Sequence, residues 1–141
     1  LSGFLLDTNV ISDLVKPRPN AGLQAWVEAR DEESLFVSVL TLGEIRQGIE
    51  MAASDARKRA RLERVLGDFR ARFTGRVLSV DHLVAETWGE ISGRARGRGA
   101  PLSVVDALLA ATALVHRLIV VTANARHFDR TGAQVLNPFS R

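Results

Sequence analysis

Residues 5–14 read LLDTNVISDL. An apolar run that opens at Phe4 reaches Leu6 and then stops on a carboxylate, Asp7, with Thr8 and Asn9 directly behind it. Helical spacing takes over at Val10, Ile11 and Leu14. A short strand without polar alternation suits the middle of a parallel sheet, where helices cover both faces. In such sheets ligands gather beyond the carboxyl ends of the strands, which is where the Asp-Thr-Asn triplet falls.

Working outward, the same alternation recurs. A helix over 10–15 is stopped by Pro17 and Pro19, and a second is expected over 21–30. The next strand is expected over 35–38, followed by a helix from Thr41 with Leu42, Ile45 and Ile49 on one face. An arginine-laden helix covers 55–73, a strand 76–80, and a helix runs from Asp81 to the glycines at 97 and 99. Pro101 and Ser103 open a further helix to His116, and strands are expected over 118–122 and 134–136. Strands alternating with helices predict a mostly parallel sheet of about five strands between two helical layers, an α/β fold of three layers, α/β/α. With 141 residues, no repeats and no linker, residues 1–141 are expected to form a single domain.

Composition narrows the function. Apolar residues make up 46% of the chain, too many for a disordered one. No apolar run approaches the ~18 residues that would span a bilayer, and no secretion signal is recognisable, so a cytoplasmic protein without a membrane partner is expected. The absence of cysteine excludes disulfides and thiolate metal sites. The formal charge of +3 is carried almost wholly by arginine, since Lys16 and Lys58 are the only lysines. Arg57–Arg76 holds eight basic residues against Glu63 and Asp68, and Arg94, Arg96 and Arg98 stand among glycines. Guanidinium groups suit phosphate, although each cluster also reads as a solvated helix face.

Four polar positions fall at expected strand or helix ends: Asp7, Glu44, Asp106, and the segment from Thr122 to Asn124. Each has a purely structural reading. Asp7 or Asn9 suits a helix cap, Thr41-Leu-Gly-Glu44 has the letters of a capping box, Ser103-Val-Val-Asp106 resembles one, and Asn124 suits a turn. Asp106 is hardest to explain that way, because SVVDALLAATALVH is apolar on every side and an unpaired buried carboxylate is very costly. Parallel strands would bring all four positions to one end of the sheet. Carboxylates crowded there repel, a divalent cation is the usual remedy, and an all-oxygen set suits Mg2+ or Mn2+. His82, His116 and His127 lack paired ligand spacing and read as ordinary surface or helix-end residues.

Four blocks, LLDTNVISDL, SVLTLGEIRQGIE, PLSVVDALLAATALVH and VVTANARHFDRTGAQVLNPF, follow in this order. Together they resemble a PIN domain, and more narrowly the VapC/FitB-like toxins of bacterial toxin–antitoxin pairs. The likeness runs from Phe4 to Phe139. It implies a metal-dependent endoribonuclease that hydrolyses single-stranded RNA. The family's metal-site acids fall on Asp7, Glu44 and Asp106; its fourth site position, often Asp, is Asn124 here, with Asp129 nearby in the following loop. Thr8, Asn9 and Thr122 match the polar positions that support the acids. The resemblance further implies a small DNA-binding antitoxin of VapB/FitA type whose tail blocks the site, and a homodimer.

On this reading Asp7 and Asp106 hold the ion and Glu44 completes the site, while Arg94, Arg96 and Arg98, with some arginines of 57–76, guide the RNA backbone. Arg46 is placed to neutralise the acids when no ion is bound. Apolar side chains at Ile45, Ile49, Leu62, Val65 and Leu66 serve the core or a partner interface. Two other acid-bearing parallel folds fit worse. A phosphoacceptor receiver domain needs a late lysine, and none follows Lys58; a haloacid-dehalogenase-like phosphatase needs a second acid where Asn9 stands. A degenerate PIN domain that only binds RNA or protein remains the alternative, with Asn124 as its argument.

Overall fold

A computed structural model describes residues 3–141. Five parallel strands form one sheet: β1 (Gly3–Leu6), β2 (Leu35–Ser38), β3 (Val77–Leu78), β4 (Leu118–Val121) and β5 (Val135–Leu136). Their order is β3-β2-β1-β4-β5. The register sets Phe4 beside Leu35, Leu6 beside Val121 and Ser38 beside Leu78.

Six α-helices cover the sheet: α1 (Thr8–Leu14), α2 (Ala21–Glu28), α3 (Val39–Met51), α4 (Ala56–Arg72), α5 (His82–Gly97) and α6 (Val104–His116). Side chains alternate across a strand, so neighbouring residues feed opposite layers. Leu6 and Val121 join Val10, Ile49, Leu66 and Phe73 on the face covered by α1–α4. Leu5 and Val120 join Val84, Ile91 and the alanines of α6 on the other. Those alanines (107, 110, 111 and 113) are fully buried and let α6 lie close against both β4 and α5. The three-layer α/β/α expectation therefore holds.

Strand order reverses at β1, which has β2 on one side and β4 on the other. The carboxyl end of β1 is thus the topological switch point, where the two flanking crossovers diverge and leave a crevice.

Local departures from the sequence reading have simple causes. Helix α1 begins at Thr8 because Asp7 caps it, accepting from the Thr8 N–H at 2.7 Å. Helix α3 begins at Val39 because Ser38 caps it, accepting from the Leu40 N–H. Thr41 is therefore a buried helical residue and not the cap that its letters suggested. Strand β3 has two residues instead of five, since it is an edge strand with only β2 to pair with. Short 3-10 turns at Glu32–Ser34 and Ala125–Phe128 were not expected.

The carboxyl-terminal segment is tied back to the entrance of α2. Asn20 Oδ1 accepts from both the Leu23 N–H and the Ser140 N–H, and Asn20 Nδ2 donates to the Ser140 carbonyl. A Cβ at Gly22 would meet the Ser140 nitrogen at 2.7 Å and the Pro138 carbonyl at 2.8 Å, so glycine is required for this approach. The docking holds Phe139 at the edge of the switch-point crevice.

Candidate active site

Asp7 continues β1 by one residue, its N–H donating to the Val121 carbonyl at 2.9 Å. That bond places the carboxylate at the sheet edge, 8% exposed. Both its oxygens are engaged. Oδ1 takes the Thr8 N–H, and Oδ2 takes the Thr122 hydroxyl at 2.8 Å and the Asn9 amide at 3.2 Å. Thr122 in turn accepts from Asn9 Nδ2 at 3.1 Å and from the Asn124 N–H at 3.0 Å. Asn9 Oδ1 accepts from the Ala123 N–H at 3.1 Å. A single network therefore clamps the ends of β1 and β4 together around Asp7.

Glu44 projects from the second turn of α3. Thr8 Oγ1 donates to Glu44 Oε1 at 2.6 Å and lies 2.9 Å from the hydroxyl of buried Thr41. With its one proton committed to Glu44, Thr8 accepts from Thr41. Asp106 stands in the first turn of α6, where Ser103 caps the helix by accepting the Asp106 N–H at 3.1 Å. Asp106 is not sealed on all sides as its sequence context suggested. The helix has only just begun there, and its neighbour Val104 is 60% exposed. His127 stands beside Asp106, Nδ1 3.5 Å from Oδ2. His127 is a surface histidine, 56% exposed, that also lines the candidate cleft.

Asp7, Thr8, Asn9, Glu44, Asp106, Asn124 and His127 line one cleft of about 700 Å3, with Phe139 on its rim. Burial raises the Asp7 carboxyl above the usual carboxylate range, and the charges of Asp106 and Glu44 push the same way; the bonds from Thr122 and Thr8 offset only part of this. The three acids share a field. Even so, among the described residues no three His, Asp or Glu side chains are gathered closely enough to hold one ion as they stand. Glu44 is drawn toward Thr8 and Asp106 toward His127, which separates charges that repel.

Other acids and bases sort clearly. Asp13 also lines the cleft, but the Asn20 N–H and Lys16 hold its carboxyl below the usual range. Arg46 turns to Glu63 at 3.5 Å and does not neutralise the site acids. Arg72 and Arg76 are committed to Glu32, Arg59 to Glu50 and Arg94 to Glu90. Arg96 is exposed on the last turn of α5, whereas Arg98 borders the site through a second groove that also holds Asp129.

The fold is thus a parallel α/β/α sheet that brings Asp7, Glu44 and Asp106 to one cleft at its switch point. The model of the PIN domain family matches residues 4–134, and the chain belongs to that family. It is 33% identical to Toxin FitB of Neisseria gonorrhoeae over 96% of this chain and 98% of that one. It is 31% identical to VapC ribonuclease Y4jK of Sinorhizobium fredii, covering 96% and 97%. Among solved structures, FitAcB from Neisseria gonorrhoeae superposes with a TM-score of 0.86 at 33% identity, covering 96% of this chain and 97% of that one. The DNA-bound VapBC from Salmonella typhimurium superposes with a TM-score of 0.78 at 27% identity, covering 96% and 98%.

Proposed function

We propose that residues 1–141 form a single PIN domain acting as the endoribonuclease toxin of a toxin–antitoxin pair, hydrolysing phosphodiester bonds in single-stranded RNA with a divalent cation. The observation that supports this most is Asp7, fixed by Thr122, Asn9 and Thr8 within the field of Glu44 and Asp106, its charge disfavoured by burial and by theirs. Such a cleft is short of positive charge. Its oxygen donors (Asp7, Glu44, Asp106 and the Asn124 carbonyl) fit a hard cation, Mg2+ or Mn2+.

A bound cation would supply Lewis acidity toward a phosphate oxygen and toward water. The chain's own residues do the positioning. Thr122 and Asn9 hold Asp7 in one rotamer, Thr8 backed by Thr41 aims Glu44, and His127 stands beside Asp106. Partners that fix the orientation of metal-binding carboxylates typically matter about 10- to 100-fold in affinity or activity. Asn124 lowers the formal charge of the site by one relative to an aspartate there.

The named relatives and their complexes support an antitoxin as partner, and a separate groove beside α3 and α4 fits one. About 640 Å3 in volume, it is lined by Ile11, Val15, Ile45, Met51, Leu62 and Val65 with Lys16, Lys58 and Arg61 among them, and it ends at Thr8 and Glu44. Met51 is 80% exposed and Val15 51%, a large apolar surface beside an acidic site. A segment of the antitoxin lying there would reach Glu44 and obstruct the cleft. A homodimer is part of the same proposal.

The test is cleavage of single-stranded RNA with Mg2+ or Mn2+, with and without chelator. Cleavage that appears with the ion, vanishes on chelation and is lost in Asp7→Asn supports the reading. Asn124 and the separation of the three acids favour a second one, a domain that binds RNA without cutting it; RNA binding indifferent to chelation, with no cleavage, would establish that instead.

A further inference from the structure

Arginine is the commonest charged residue of this chain, and five arginines are held in ion pairs. Arg46, Arg59, Arg72, Arg76 and Arg94 each meet a glutamate. Arg98, Arg126 and Arg130 do not. Among the described residues none of the three has an ion-pair partner or a side-chain hydrogen bond, yet all three line one groove of about 650 Å3. They come from separate elements. Arg98 caps the end of α5, Arg126 lies in the 3-10 turn after β4, and Arg130 lies in the loop before β5. Two acids, Asp106 and Asp129, also line the groove, and among the described residues neither pairs with any of the three.

Shared walls tie this groove to the candidate active site. Ser103, Asp106 and His127 line both cavities, so the groove is the continuation of the acidic cleft past Asp106.

We infer that Arg98, Arg126 and Arg130 form a subsite for backbone phosphates of the RNA strand next to the phosphate being cut. This rests on the ribonuclease reading given above. An acidic cleft repels a polyanion, so a substrate strand needs cations beside the carboxylates without cancelling them. Unpaired guanidiniums just beyond Asp106 meet that need, whereas arginines already held by glutamates do not.

The experiment compares wild type with an R98A/R126A/R130A triple variant, and with an R18A/R117N control at two exposed arginines that line neither cavity. Binding of a labelled single-stranded RNA of about 20 nucleotides is measured in chelator across a salt series, so that no cleavage is needed. The triple variant is expected to bind about tenfold more weakly at low salt. Its log–log salt slope should be shallower by about 2, from roughly 0.7 per phosphate contact on a single strand. Where wild type cleaves, KM for the long RNA rises while kcat, and cleavage of a trinucleotide, stay within twofold. Wild-type affinity and slope in the triple variant, or an equal loss in the control, overturns the subsite. Loss of antitoxin affinity with RNA affinity unchanged gives the groove to a protein and overturns it too. Absence of any metal-dependent cleavage by wild type, with the binding loss still present, sinks the ribonuclease reading and leaves the RNA subsite standing.

Discussion

Two charged clusters sit in this molecule, and they are built oppositely. At the 3-10 turn before β2, Glu32 faces Arg72 at 2.9 Å and Arg76 at 3.1 Å, and both guanidiniums lie over the Phe73 ring. The bond from Arg72, joined by that from Arg76, holds the Glu32 carboxyl below the usual range. At the switch point, Asp7 is surrounded by neutral donors and by two further acids, and its carboxyl is pushed up. Both arrangements satisfy hydrogen bonds; only the first satisfies charge. A fold that needs an acid for stability brings it a base, as Glu32 shows. A fold that surrounds a buried acid with hydroxyls and amides and brings further acids near it leaves room for a positive ligand, which is the mark of a candidate functional cluster.

The largest effect should come from removing charge at the switch point. Asp7→Asn and Asp106→Asn are each expected to lower kcat/KM for RNA cleavage by more than about 10²-fold, in the range seen when a principal electrostatic contact of a transition state is lost. Circular dichroism should show the fold intact, because asparagine keeps the size of the side chain and one accepting oxygen. Wild-type cleavage by Asp106→Asn would remove the acid cluster from the mechanism altogether. Next in size are the neutral residues that hold the acids. Thr122→Val deletes the hydroxyl that donates to Asp7 and receives Asn9, so activity should fall about 10- to 100-fold, with Thr122→Ser restoring most of it. Equal activity in Val and Ser variants would show that the clamp does not orient Asp7.

Thermal stability in chelator reads the same contrast without any substrate. The folded-state pKa of Asp7 is raised, so ionising Asp7 opposes folding. That penalty is absent below the unfolded-state pKa, near 3.9, and develops fully as pH rises through the folded value. Asp7→Asn should therefore raise Tm at pH 7 and change it little at pH 3. Glu32 has the opposite sign. Its pKa is lowered, so its contribution is present above the unfolded value and is lost as pH falls through the folded one. Glu32→Gln should lower Tm at pH 7 and have a smaller effect at pH 3. The shift will be modest, because the Glu32 side chain is 48% exposed and solvent screens the pair. Parallel shifts in both variants would mean that the two clusters are not opposites.

Much of this site was legible because strand ends write themselves sharply: LLD at β1 and VVT at β4 change from apolar to polar in one residue, and parallel order then carries both to one edge. The six helices were legible from spacing and from breakers such as Pro17 and the glycines at 97 and 99. What failed was local lettering and tertiary contact. Thr41-x-x-Glu44 spells a cap, yet Ser38 takes that role, and Thr41 instead backs Thr8 from inside the helix. His127 reaches Asp106 only because an unforeseen 3-10 turn follows Asn124 and folds it back against the start of α6. Arg126 and Arg130 carried no clustered signal in sequence, since the groove that unites them with Arg98 is assembled from three elements. Arg72 and Arg76 had such a signal, and the fold uses them to hold Glu32.

The smallest expected effect bears on Asn124. Asn124 is exposed on the rim of the cleft, and its backbone N–H, rather than its side chain, bonds to Thr122. Asn124→Asp would keep that bond and add a fourth carboxylate to a cluster already lacking positive charge. Without cation the addition should lower stability by less than about 1 kcal/mol, because the new charge is solvated and its repulsion screened. With cation the sign should reverse, since each added anionic ligand favours a divalent ion. Thermal scans of Asn124→Asp and wild type in chelator and across a Mn2+ series would therefore cross, the variant less stable at zero Mn2+ and more stabilised per increment of it. Curves that stay parallel would place position 124 outside the cation's reach. Asp7, Glu44 and Asp106 would then be the whole of the acidic site, and the asparagine would carry no cost to activity.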